Sequence, residues 1–155
     1  MTPPYSDYRP MLFPDELSDK IGPYFSRISA GKPIIGLGIR DFHISPRGFC
    51  HGAVIAALAD LQSLPSGYMA GIFDRLAATL SFNIDYIASA RLGDWIELKT
   101  DLLKVTRQFI FSQALVVKTD GAVVARTSAV YKFDPHPHPD ADIVTRLFPP
   151  EQGRT

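Results

Sequence analysis

Two hydrophobic patterns divide the chain. From Ala53 to Leu64 the order is AVIAALADLQSL, apolar at nearly every position. From Thr79 onward the period becomes two. GDWIELKTDLLKV sets Trp95, Glu97, Lys99 and Asp101 against Ile96, Leu98, Thr100 and Leu102. Such alternation marks strands with one buried face. TLSFNIDYIA and QFIFSQALVV are rich in strand formers. AVVARTSAVYKF follows Lys118-Thr119-Asp120-Gly121, whose Asp-Gly pair is a hairpin signal. CHGAVIAALADLQSL reads as a helix stopped by Pro65-Ser66-Gly67. An antiparallel sheet needs one face covered, and this helix is the apolar element available. The pattern predicts an α+β domain: an antiparallel sheet, mostly from residues 79–133, wrapped around one central helix.

Upstream, Pro14-Asp15-Glu16-Leu17 suits a helix start, and the pattern extends that helix to about Ile28. Residues 33–43, PIIGLGIRDFH, read as a strand weakened by Gly36 and Gly38, followed by the turn SPRGF. Ten of the 13 prolines lie before residue 24 or after residue 134, which places irregular arms at both ends. The expected organisation is an N-terminal arm with a short helix (1–32), a folded body (33–133) and a Pro-rich tail (134–155), mobile or draped on the surface.

Composition narrows the function. Among 155 residues, 16 basic side chains balance 16 acidic ones. That argues against nucleic acid as the main partner, because phosphate binding needs a basic surplus. Hydrophobic residues make up 46%, enough for a core. No apolar run reaches the roughly 18 residues of a membrane span. A single cysteine, Cys50, forbids an intramolecular disulfide. With no signal-like N-terminus, the expected location is cytoplasmic, without a membrane partner.

The central helix carries the candidate chemistry. Asp60 is the only ionisable residue between Ala53 and Leu64. A helix apolar all round is expected to be buried all round, and a lone buried carboxylate is costly unless paired. A structural aspartate is the plain alternative to one held in a poorly solvated cleft, where a general base works well. At the other end, His51-Gly52 opens the helix. The first N–H groups of a helix lack internal acceptors, and Gly52 lets a ligand oxygen approach them. Asp60 lies nine positions after His51, roughly 13 Å along the axis and on the opposite side. One subunit cannot bring both groups to one atom; two helices packed antiparallel about a two-fold axis can. The sequence therefore predicts a homodimer with two shared sites.

These residues carry a family resemblance. GFCHGAVIAALAD, followed by the strands from ATLSFNIDYIASARLGDWIELK to Phe133, resembles the hot-dog-fold acyl-CoA thioesterases, in particular the phenylacetate-pathway and 4-hydroxybenzoyl-CoA thioesterase-like group. The resemblance covers about residues 33–133. It implies a hot-dog fold, an acyl-CoA substrate, no cofactor and a homodimer that pairs into a dimer of dimers. It puts Asp60 at the family's catalytic carboxylate and Gly52 at the backbone amide that polarises the thioester carbonyl. His51 falls on the family's orienting histidine, and Thr79 near the hydroxyl that helps hold the attacking water. Two positions depart from the pattern. Ser45 stands six residues before the histidine where the family commonly has Asn or Gln, a task that His43 or Arg47 is placed to take up. Ala53 replaces a second glycine beside the substrate. Given CoA as substrate, Arg91, Lys104 and Arg107, at strand ends or loops, are candidate nucleotide contacts. Ser45 also favours a second function, a non-catalytic acyl-CoA-binding protein. A hydratase on the same fold lacks a second placed acid–base group.

Cys50 and His51 are not read as a catalytic pair, because adjacent side chains point apart. His136 and His138 lack carboxylates or thiols at ligand spacing, so no metal site is expected. Phe82, Tyr86, Trp95, Phe109 and Phe111 are expected in the core or at an interface.

Overall fold

A computed structural model describes residues 1–148. It contains seven strands: β1 (Arg9–Pro10), β2 (Tyr24–Ser29), β3 (Lys32–Gly38), β4 (Ala77–Tyr86), β5 (Trp95–Val105), β6 (Phe109–Lys118) and β7 (Val123–Phe133). They form one antiparallel sheet in the order β1-β2-β3-β5-β6-β7-β4. Helices α1 (Glu16–Ile21), α2 (Gly52–Asp60), α3 (Ser63–Met69) and α4 (Ile143–Leu147) complete it.

The four strands β4 to β7 lie where the two-residue period puts them. Along β7, Ala125, Thr127, Ala129, Tyr131 and Phe133 are buried while Arg126, Ser128 and Lys132 are not. Ala125 joins Val54, Ile55, Leu58 and Ala59 of α2 and Ile35, Leu37, Ile96, Leu98 and Val116 in the main core, while Ala129, Tyr131 and Phe133 form a second cluster with Ile110. Each such Val, Leu or Ile side chain contributes about 1.5–3 kcal/mol when fully buried.

Three expectations fail at the chain's edges. The first helix does not reach Ile28; it ends at Ile21, before Gly22-Pro23, and residues 24–29 become β2. Proline has no N–H to continue a helix, and the residue before it disfavours helical geometry. Residues 33–43 are a strand only to Gly38, then a 3₁₀ turn over Asp41–His43. The glycines have a packing reason: a Cβ on Gly36 would collide with the Trp95 ring. Residues 134–142 run over the surface as expected, but the chain does not stay there, and residues 149–155 of the expected tail lie outside the described residues. Ile143, Val144, Leu147 and Phe148 enter the main core. The proline-rich stretch before them hid that short apolar cluster. The expected limits at 33 and 133 thus cut through both sheet and core.

The central helix is also not stopped at Pro65. It loosens at Leu61–Gln62 and resumes as α3. At the junction Leu61, Gln62 and Leu64 donate to carbonyls three residues back (3.2, 3.2 and 3.0 Å). Pro65 is the third residue of α3, inside the first turn, where a missing N–H costs little.

Candidate active site

The start of α2 is held by a small hairpin. Ile44 and Cys50 form a β-bridge, and the turn between them closes through Gly48 N–H to the Ser45 carbonyl (2.9 Å). Gly48 has φ +80°, the left-handed region that glycine occupies without strain. His51 then caps α2 with extended backbone, and its N–H donates to the His43 carbonyl (2.8 Å). Among the described residues, the Gly52 and Ala53 amides donate to no protein acceptor. They open onto a cleft of about 510 Å³ lined by Ser45, Arg47, His51, Gly52, Tyr86 and Ser89, among others.

Tyr86 closes one side of this cleft. Its hydroxyl donates to the Gly52 carbonyl (2.8 Å), and a Cβ on Gly52 would lie 3.2 Å from the phenol carbon and oxygen. Expected in the core or at an interface, Tyr86 is 52% exposed in the single chain and lines the cleft. The Arg91 guanidinium lies 5.1 Å from the centre of the Phe49 ring, another lining residue. His43 does not take over from Ser45. It is fully buried, its Nδ1 accepts from Arg40 N–H (3.1 Å), and its Nε2–H donates to the Ile21 carbonyl (2.7 Å). Burial, followed by the charge of Arg40, lowers its pKa against the helping Ile21 bond, so the neutral ring is favoured. Burial pushes the Cys50 thiol up to about 11, which keeps it a poor nucleophile.

The other end of α2 holds the carboxylate. Thr79 Oγ1 donates to Asp60 Oδ1 at 2.9 Å and lies 3.2 Å from Oδ2. Tyr131 OH lies 3.0 Å from the Asp60 carbonyl and 3.2 Å from Oδ1. Burial first, then the negative charge of Asp60, raise the Tyr131 pKa far above the usual phenol value. Beneath lies a buried polar chain: Gln62 Nε2 donates to Thr127 Oγ1 (3.0 Å) and Ser112 Oγ to Gln62 Oε1 (3.2 Å). Neither Tyr131 nor Gln62 was singled out in the sequence. Each reads there as one more member of an apolar helix or an alternating strand, with no local signal that it reaches Asp60.

The two ends are separate in one chain. Tyr86 is level with Ala125, Val116 and Leu98 across the sheet, whereas Thr79 is level with Tyr131, Ile110 and Val105. On β5 those levels are seven residues apart, roughly 24 Å. Ser45, His51, Gly52, Ala53 and Arg91 gather at the first end; Asp60, Thr79, Lys104 and Arg107 belong to the second. The expectation of a helix buried all round fails here too. Ala53 is exposed and Ala56, Ala57 and Asp60 are only partly covered, a stripe at helical spacing that this chain's sheet does not fully cover. Beside it β4 ends the sheet, with Leu80 and Ile87 each 57% exposed.

Comparison with known proteins fits this architecture. The thioesterase superfamily model matches residues 47–125, which run from within the hairpin through both ends of α2 and the strands as far as the start of β7. The chain belongs to the thioesterase superfamily. This thioesterase-superfamily chain is 30% identical over 129 residues to a Pseudomonas aeruginosa protein named as a putative esterase, covering 80% of this chain and 92% of that one. Its fold is that of a mutant of the phenylacetic acid degradation protein PaaI from Thermus thermophilus: TM-score 0.64, 22% identity, 76% of this chain and 98% of the other. A Streptococcus mutans protein solved bound to acetyl CoA matches with TM-score 0.61 and 22% identity, over 72% and 87% of the two chains. The hot-dog fold expected from the sequence is thus the fold found. Among the described residues of this superfamily member, no helix is long and apolar enough to cross a membrane.

Proposed function

We propose that this chain hydrolyses an acyl-CoA thioester to a free acid and CoA, at two sites each shared across a two-fold dimer. The observation that carries the reading is the Asp60 carboxylate, the one charge on α2, fixed by Thr79 and Tyr131 at the edge of a sheet whose terminal strand is unpaired. Superfamily membership supplies the reaction class. Acetyl CoA in the Streptococcus mutans relative supports the choice of CoA ester.

The partly uncovered stripe on α2 and the open edge of β4 support the dimer. Antiparallel packing of two α2 helices would set Asp60 of one chain against Gly52 of the partner subunit. The same operation would bring Lys104 and Arg107 toward the partner subunit's Arg91, so that cations from both chains could meet one nucleotide. A dimer of dimers extends this arrangement and changes neither site.

In the proposed step the thioester carbonyl oxygen accepts from the partner subunit's Gly52 N–H. Asp60 takes a proton from water as the water oxygen bonds to the carbonyl carbon. The carbonyl π pair moves onto the oxygen held by the amide. Collapse re-forms the carbonyl, breaks the C–S bond and releases CoA thiolate, which recovers the proton from Asp60. His51 borders the cleft and orients the thioester, and Ser45, in the same lining, acts on it through a bridging water. No metal or cofactor takes part in the scheme. Ser45 also supports the second reading, acyl-CoA binding without turnover, since a hydroxyl reaches less far than an amide.

A panel of acyl-CoA esters, followed by free thiol release, separates the two readings. Turnover is expected, with kcat lowered about 10²–10⁴-fold in Asp60→Asn and binding retained. Mixing Asp60→Asn with Gly52→Val chains is expected to restore one working site per mixed dimer. Full activity in Asp60→Asn would remove the carboxylate from the mechanism. No restoration in dimers shown to be mixed would remove the sharing.

A further inference from the structure

Tyr131 touches Asp60 twice, and the helix break explains why. In an unbroken helix the Asp60 carbonyl would accept from Leu64 N–H, but that N–H donates to Leu61 instead (3.0 Å). The Tyr131 hydroxyl fills that place at 3.0 Å while lying 3.2 Å from Oδ1 of the same residue. Thr79 donates to Oδ1 as well, at 2.9 Å. Oδ1 is therefore crowded by two hydroxyls, and Oδ2 has only the longer approach of Thr79 at 3.2 Å.

The Tyr131 side chain is fully buried and β7 is an interior strand, so its hydroxyl reaches a substrate only through Asp60. Burial and the Asp60 charge keep it protonated at any working pH, so it is a donor throughout.

We propose that Tyr131 is a positioning residue for thioester hydrolysis: by holding the main-chain carbonyl and Oδ1 of Asp60 together, it locks the carboxylate rotamer and leaves Oδ2 as the reacting oxygen. This rests on Asp60 being the base. Thr79 on the edge strand holds the carboxylate from the exposed side, and Tyr131 holds it from the core.

The test is a double-mutant cycle between Tyr131→Phe and Asp60→Asn, with kcat and KM measured on the best acyl-CoA substrate and Tm on every variant. Tyr131→Phe is expected to lower kcat by about ten- to a hundredfold, the worth of a hydrogen bond to a charged group. KM should stay within about twofold, because the tyrosine does not touch substrate. In the Asp60→Asn background the same change is expected to cost nothing further, since the carboxylate it positions is already gone. An equal loss in both backgrounds, or an unchanged kcat in Tyr131→Phe, overturns the proposal while Asp60→Asn remains inactive. Activity retained in Asp60→Asn overturns the mechanism beneath it, and the proposal with it. If Tyr131→Phe fails to fold, 3-fluorotyrosine at position 131 keeps the ring and strengthens the donor. A stronger hydrogen bond to Oδ1 draws charge from the carboxylate and makes it a weaker base, so kcat is expected to fall at constant KM, and an unchanged kcat there also overturns the proposal.

Discussion

Thr79 and Tyr131 are cross-strand partners on β4 and β7, and both hydroxyls converge on one carboxylate, that of Asp60. Paired residues on adjacent strands share a face, so the ladder register itself brings the two donors together. Just beyond Thr79 the register slips: Ser81 pairs with Val130, leaving Leu80 as a bulge. Bulges re-aim side chains near functional sites. Thr79→Val keeps the shape and removes the donor. It should lower kcat about tenfold or more, while Thr79→Ser should retain most activity. Steady-state assays on both variants check this, and equal activity would detach the threonine from the carboxylate's role.

His43 should make stability depend on pH. Its pKa is lowered in the folded state, so the unfolded chain takes up the proton first as pH falls. Stability is then full above about pH 6.5, the unfolded value, and declines as pH falls below it toward the lower folded value. The melting temperature should drop between pH 7 and pH 5, and His43→Asn should flatten that slope. A slope identical in the variant would assign the dependence to other groups.

The C-terminal helix should be needed for the fold. Phe148 stacks edge-on against Tyr68 at 5.6 Å, and the Leu147 carbonyl accepts from Ser26 Oγ (2.8 Å) in the core. Phe148→Ala should cost about 3–5 kcal/mol, the usual price of truncating a buried Phe. Urea denaturation measures it. A loss under about 1 kcal/mol would mean the helix does not seal the core in solution.

Nucleotide recognition should show in KM. Arg91→Ala and Arg107→Ala each should raise KM for acyl-CoA more than they lower kcat, because phosphate contacts are made in ground and transition states alike. If neither variant moves KM, the phosphates bind elsewhere.

The sequence carried the long strands and the start of α2, because period-two alternation and an apolar run behind His51-Gly52 are strong local signals, but not the break at Leu61–Gln62. It did not carry β2, which has no clean alternation in YFSRIS, or the burial of Val144 and Phe148, which depends on distant partners. At the site, Asp60, Thr79 and Gly52 were legible as types at telling positions. Tyr131 was not, since its contact with Asp60 exists only after β7 has folded across α2, 71 residues away. Nor was the uncovered stripe on α2. An all-apolar helix looks the same on paper whether its last face is covered by its own sheet or left for another chain.

Helix α2 also acts as a ruler. The two ends that the proposed reaction uses belong to one stretch of nine residues, with the hairpin at one end and the break at the other. Inserting or deleting a single residue would move Asp60 by about 1.5 Å and swing it through about 100°, off both hydroxyls at once. Loops and strand tips can lengthen without disturbing that spacing. On the proposed mechanism, length changes that preserve the chemistry are therefore confined to the segments outside Gly52–Asp60.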